Sequence, residues 1–133
     1  DFEIKSLLAK MMDFESHPKF MPAQLKSVKI LKNNDDGITT EETISFKTII
    51  KKTIIQQTLH KRSANSLNSK ILSGPAKNTE IFIRFEENEG KIRVLVDINL
   101  KLLLSTKILE PLIKKYYKSY FNAFLNRLAI STI

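Results

Sequence analysis

Lys91-Ile92-Arg93-Val94-Leu95-Val96-Asp97-Ile98-Asn99-Leu100-Lys101 is the stretch that decides the fold of this chain. Ile92, Val94, Val96, Ile98 and Leu100 alternate with Arg93, Asp97, Asn99 and Lys101. A period of two is the signature of a half-buried strand. Upstream, residues 79–86 make a second strand-like run, joined to the first by a turn at Asn88-Glu89-Gly90 and preceded by another at Ser73-Gly74-Pro75. Downstream the period changes. Apolar residues fall at 109, 112, 113, 116, 117, 120, 121, 124, 125 and 128, the spacing of one long amphipathic helix. A broad antiparallel sheet followed by one terminal helix predicts a helix lying in a curved sheet, with an internal cavity between them.

The first half extends the same pattern. Ile4, Leu7, Leu8, Met11 and Met12 recur at helical spacing, and Pro18 is expected to end that helix. Residues 25–32 read as a strand with Val28 and Ile30 on one face, closed by the hairpin turn Asn34-Asp35-Asp36-Gly37. Residues 39–48, 52–61 and 66–72 read as further strands; the weakly marked break at 49–51 is either a turn or a bulge. The order is helix, five to six strands, helix, which is an α+β arrangement.

Composition excludes several chemistries. A chain of 133 residues, 42% hydrophobic and 27% charged, is sized for one domain spanning 1–133. No apolar run approaches the roughly 18 residues a transmembrane helix needs. Neither a signal peptide nor a cysteine is visible, so a cytoplasmic location is expected, while the start at Asp1 rather than Met leaves room for residues upstream. Three isolated glycines make no phosphate-cradling loop, and two histidines, His17 and His60, make no HExxH zinc site. No metal or other cofactor is expected.

Charge is unevenly placed. Residues 1–42 carry six lysines against eight acids, whereas residues 43–79 contain no acid and carry Lys47, Lys51, Lys52, Lys61, Arg62, Lys70 and Lys77. Such a stretch fits an anionic partner such as RNA, a ribosome or lipid head groups. It equally fits a solvated sheet face on which lysines discourage edge pairing.

Two segments carry a family resemblance. Asp13-Phe14-Glu15-Ser16-His17-Pro18-Lys19-Phe20-Met21-Pro22 resembles the D-F-E-x-(Y/H)-P-x-F-(M/L)-P segment that follows the first helix in the START-like (SRPBCC) superfamily. The branch it resembles is that of the polyketide cyclases/dehydrases and coenzyme Q-binding proteins. Ser73-Gly74-Pro75-Ala76-Lys77, followed by Ile83-Arg84-Phe85, is similar to that family's G-P-(F/L)-K turn and its following strand. The resemblance implies a helix-grip fold, in which a seven-stranded antiparallel sheet wraps the C-terminal helix. It also implies a cavity holding a lipid, quinone, polyketide or similar hydrophobic molecule. The family opens with a strand before the first helix; here that strand is either missing or upstream of Asp1.

The residues expected to line the cavity follow from this frame. On the helix, Ile113, Tyr117, Tyr120 and Phe124 centre the apolar stripe, with Leu112, Tyr116 and Phe121 beside them. Facing them are Ile44, Phe46, Ile83, Phe85, Val94, Val96 and Ile98. Apolar walls with a few placed hydroxyls suit a ligand pocket, although the same aromatics serve a plain core. Met11, Met12, Phe14, Phe20 and Met21 are expected at the cavity mouth, where thioethers adapt to varied ligands. Catalytic candidates are few. His60, beside Lys61 and Arg62, reads as an exposed sheet residue, and His17 reads as packing. Glu42 shares strand parity with Ile44 and so points either into the cavity or to the solvated strand end, the latter being expected. The function expected is non-catalytic binding or transport of a hydrophobic small molecule. The alternatives are an RNA- or ribosome-associating module using the basic 43–79 surface, and a small-molecule cyclase.

Overall fold

The structure, a computed structural model, describes residues 2–45, 53–103 and 107–131. Helix α1 (Phe2–Met12) leads through a 3₁₀ turn (Phe14–Ser16) and short helix α2 (His17–Phe20) into six strands. These are β1 (Leu25–Asn34), β2 (Gly37–Ser45), β3 (Thr53–Arg62), β4 (Ser66–Ile71), β5 (Glu80–Asn88) and β6 (Lys91–Asn99), and helix α3 (Glu110–Ser131) follows. The strands make one curved antiparallel sheet in the order β1-β2-β3-β4-β5-β6, every strand pairing with its neighbour in sequence. The expected α+β helix-grip arrangement is therefore present. Six strands are seen where the resemblance implied seven, and among the described residues none precedes α1. The 49–51 break lies outside the described residues.

Turn chemistry sets the registers. Asn88 pairs with Lys91, leaving Glu89 (φ 52°) and Gly90 (φ 78°) as a two-residue loop with both residues left-handed. Such a loop matches the right-handed twist of the strands. At the β1–β2 hairpin Gly37 has φ 128°, and a Cβ there would run into the His60 carbonyl oxygen. Only glycine fits that close approach. Strand β1 carries register shifts between Leu25 and Ser27 and between Ile30 and Lys32. The first brings Leu25 and Val28, three residues apart, to the same buried face. Ile30 is exposed, although it shares the parity of Val28, because β1 is an edge strand whose hairpin end extends past the core.

Pro18 does not end α1. That helix stops at Met12, and Pro18 occupies the first turn of α2, where its missing N–H costs no hydrogen bond. Asp13 organises the join by accepting from the Ser16 hydroxyl at 2.7 Å and, through its carbonyl, from the Ser16 N–H at 3.1 Å. At the far end of the sheet the buried Thr79 hydroxyl donates to the Lys101 carbonyl at 3.0 Å and accepts from its N–H at 2.9 Å, fixing where the chain leaves β6.

The core lies between the inner face of the sheet, α1 and α3. Leu8, Met11, Leu25, Ile83, Phe85, Phe124 and Leu128 are its buried centre. Arg127 of α3 donates to the Phe20 carbonyl at 2.6 Å and contacts Met21 Sδ at 3.3 Å, which holds the α2 segment against the terminal helix.

Candidate functional site

Alternation in five strands aims one set of side chains at α3. From β2 come Thr40, Glu42 and Ile44; from β3, Gln56, Thr58 and His60; from β4, Leu67, Ser69 and Ile71; from β5, Ile81 and Ile83. Leu25 and Val28 join from β1. Helix α3 closes the space with Tyr116, Tyr117, Tyr120, Phe121 and Phe124, and Met11, Phe14 and His17 wall one end. The cavity, partly open to solvent, measures about 110 Å³. That volume admits a ring-sized group; a longer ligand needs the aromatic side chains of α3 to move.

The polar residues of this lining differ in how they are satisfied. His60 is buried at 8% exposure, with Nε2 at 2.8 Å from the Thr40 hydroxyl and Nδ1 at 2.6 Å from the Ser69 hydroxyl. Cross-strand pairing of His60 with Ser69 creates the second contact. Phe14 stacks on the imidazole with centroids 4.1 Å apart. Burial first, and then the repulsion it would meet from a protonated His17, push its pKa down to about 3, so the ring is neutral. His60 is thus not the exposed sheet residue expected from its cationic neighbours, because Lys61 and Arg62 lie beyond the point where the core covers the strand. His17 is half-buried and likewise neutral. Burial lowers it to about 4 against the opposing pull of the Met11 carbonyl, which lies 2.8 Å from Nε2, and of Asp13.

Glu42 lines the cavity rather than a solvated strand end. Burial pushes its pKa up to about 7, and the neighbouring hydroxyls of Thr58 and Thr40 pull it only partly back. Neither Glu42 Oε2 nor the Thr58 hydroxyl has a partner in hydrogen-bond geometry. The Tyr117 hydroxyl, on a residue 7% exposed, also has none. Its pKa is driven upward by burial first and then by the neighbouring acidic groups Tyr116 and Glu42, so the phenol is uncharged. Tyr116 is raised to about 12 by burial, and Tyr120 is raised by burial and then by its acidic neighbours Tyr116, Glu42 and Tyr117.

Among the residues anticipated for the cavity wall, Ile44, Ile83, Tyr116, Tyr117, Tyr120 and Phe124 are brought together in the lining. Phe85, Val94, Val96, Ile98 and Ile113 are not in it. Phe85 and Ile113 are buried in the packed core. Val96 pairs with Ile83 and shares its face, yet remains 37% exposed because β6 is an edge strand. Val94 and Ile98 are partly buried on the same strand. Phe46 lies outside the described residues. Among the residues anticipated for the mouth, Met11 and Phe14 are buried in the wall, while Met12, Phe20 and Met21 pack in or against the core away from the cavity. Leu112 is exposed on α3. Of the acid-free stretch, Lys61, Arg62, Lys70 and Lys77 are solvent-exposed, and Lys47, Lys51 and Lys52 lie outside the described residues.

The sequence reading missed the polar floor made by Thr40, Gln56, Thr58, His60 and Ser69. Strand parity was the signal available. Gln56, Thr58 and His60 share parity with Ile54, as Glu42 does with Ile44, and the β2–β3 pairing sets Thr40 opposite Thr58 and Glu42 opposite Gln56. Among the described residues no cluster of His, Cys, Asp and Glu is arranged to hold a metal ion, and no helix is long and apolar enough to cross a membrane.

The fold is shared with solved structures. TTHA0849 from Thermus thermophilus superposes with a TM-score of 0.78 at 12% identity, over 98% of this chain and 92% of that one. Ara h 8.0201 superposes with a TM-score of 0.68 at 16% identity, over 95% of this chain and 88% of the other. Among curated proteins none matches the sequence. Residues 4–129 match the family described as polyketide cyclase/dehydrase and lipid transport; a match over nearly the whole chain, joined to a cavity between sheet and terminal helix, makes this protein a hydrophobic-ligand-binding domain of that family.

Proposed function

We propose that the protein binds and carries a hydrophobic small molecule of lipid, quinone or polyketide-like character in the cavity between the sheet and α3, without transforming it. The observation that carries this reading is the cavity of about 110 Å³ itself, walled by aliphatic and aromatic side chains of five strands and one helix. Burial of ligand surface supplies the affinity, at roughly 25 cal/mol per Å² of apolar area. Binding must offset several kcal/mol, roughly, of lost ligand and side-chain freedom. The stacked aromatics of α3 are the adjustable wall. Tyr116 stacks on Tyr120 at 6.4 Å and Tyr120 on Phe124 at 5.9 Å, so a shift of one ring is passed to the next.

The histidines are not available for acid–base work, and Glu42, raised to about 7 in the lining, is assigned to ligand recognition rather than to proton transfer. General acid–base work needs a side chain poised near the working pH with its proton available to the ligand. Both nitrogens of His60 are engaged by hydroxyls and His17 is turned to a backbone carbonyl. Filling the cavity tests the proposal. Ile83→Phe puts a ring into the sheet wall, and titration with a neutral fluorescent probe such as 6-propionyl-2-dimethylaminonaphthalene reads binding. We expect at least about tenfold weaker binding with the fold retained by circular dichroism. Unchanged binding would place the ligand elsewhere.

A further inference from the structure

The cavity holds three buried polar atoms without hydrogen-bond partners: Glu42 Oε2, Thr58 Oγ1 and Tyr117 Oη. The other unpartnered buried side-chain atoms among the described residues, on Gln24, Ser45 and Asn68, belong to residues outside the lining; Tyr116, on the lining, has an interaction of its own. Buried polar groups are normally satisfied, and one left unmade costs far more than an average bond gains. The polar chain beside them meets that rule: Thr40, His60 and Ser69 satisfy one another within 2.8 Å. Glu42, Thr58 and Tyr117 come from β2, β3 and α3, so the sheet floor and the helix roof aim unmet capacity into one space. Glu42, Tyr117 and Tyr120 line the same cavity and act on one another electrostatically.

We infer that Glu42, Thr58 and Tyr117 form a polar subsite that recognises an uncharged oxygen, a carbonyl or hydroxyl, on an otherwise apolar ligand bound with that oxygen turned inward. This rests on the carrier reading and names the ligand chemistry within it. All three groups are hydrogen-bond donors when protonated, which suits the two lone pairs of a carbonyl oxygen. The neutral carboxyl also accepts, which suits a hydroxyl. An ionised carboxylate is excluded, because the described lining contains no Lys or Arg to neutralise it. A site built to hydrogen-bond a ligand oxygen rejects the analogue lacking it, since its own buried groups are then left unpaired.

Four compounds of nearly one shape test the inference by calorimetric titration: acetophenone, 1-phenylethanol, isopropylbenzene and benzoate. We expect acetophenone or 1-phenylethanol to bind about tenfold tighter than isopropylbenzene, with benzoate weakest. Which of the two oxygen compounds binds tighter identifies carbonyl or hydroxyl as the preferred group. Tyr117→Phe, which keeps the ring in place, and Thr58→Val should each shrink that preference several-fold while leaving isopropylbenzene affinity within about twofold. Equal binding of isopropylbenzene and both oxygen compounds by the unaltered protein would overturn the subsite and leave the carrier reading standing. Failure of all four, together with failure of the fluorescent probe, would instead overturn the carrier reading.

Discussion

The two halves of the sheet's inner face share one pleat and differ in chemistry. Across β4 and β5 the inward residues Leu67, Ile71, Ile81, Ile83 and Phe85 are apolar and buried, with Ser69, the partner of His60, as the polar exception. Across β2 and β3 the same inward positions hold Thr40, Glu42, Gln56, Thr58 and His60. The apolar half gains its stability from area and fit. In the polar half each group depends on a partner, and His60 has both of its partners while Glu42 Oε2 and Thr58 Oγ1 have none. Burial therefore contributes to the fold on one side and prepares recognition on the other.

Phe85→Ala should break the apolar half. Phe85 is 1% exposed, and truncation leaves a cavity that costs about 3–5 kcal/mol in urea unfolding. A loss under about 1 kcal/mol would mean that this half is not the stabilising one. Glu42→Gln sharpens the polar half through pH. The Glu42 pKa rises from 4.5 to about 7 on folding, so the folded state holds the proton more tightly than the unfolded chain. That linkage favours folding fully below pH 4.5 and is lost as pH rises through 7. Relative to the unaltered protein, Glu42→Gln should gain about 3 kcal/mol at pH 8.5, on the order of the shift at 1.36 kcal/mol per unit, and much less at pH 4.5. A stability difference that stays constant with pH would contradict the buried carboxyl.

The histidines act with the opposite sign. Both are held below their ordinary 6.5, so their linkage favours folding above pH 6.5 and is lost as pH falls toward 4 for His17 and 3 for His60. Stability should therefore rise between pH 4.5 and 6.5, and more steeply in Glu42→Gln, where the opposing carboxyl is gone. Thr40→Val should cost about 1–3 kcal/mol by leaving His60 Nε2 buried and unpaired; an unfolding midpoint equal to that of the unaltered protein would remove the polar chain from the account. The smallest effect is expected from Val96→Phe. Val96 shares the face of Ile83 but sits exposed on the edge strand, so ring insertion there should leave probe affinity and stability within roughly 0.5 kcal/mol. A tenfold loss of affinity, like that expected of Ile83→Phe, would extend the cavity to β6.

Strong periodicity made the architecture readable. The alternation from Ile92 to Ile98 gave β6, and the stripe Ile113, Tyr117, Tyr120, Phe124 gave the inward face of α3, because apolar burial is what generates those periods. The polar floor was harder to read for a physical reason. A Thr, Gln or His facing inward follows the same alternation as one facing water, and only cross-strand partners distinguish them. His60 looked exposed from Lys61 and Arg62, yet its environment is made by Phe14, Thr40 and Ser69, none of them adjacent in sequence. Coverage was likewise hidden at Val96, whose parity is inward although no element packs fully over it.

The most direct test of the central claim is native mass spectrometry of the protein purified from its own host, followed by organic extraction and identification of what is released. The account predicts the mass of the chain plus one small molecule, which on extraction is predominantly apolar and carries an uncharged oxygen. The bare mass of the chain, with nothing apolar in the extract, would contradict it.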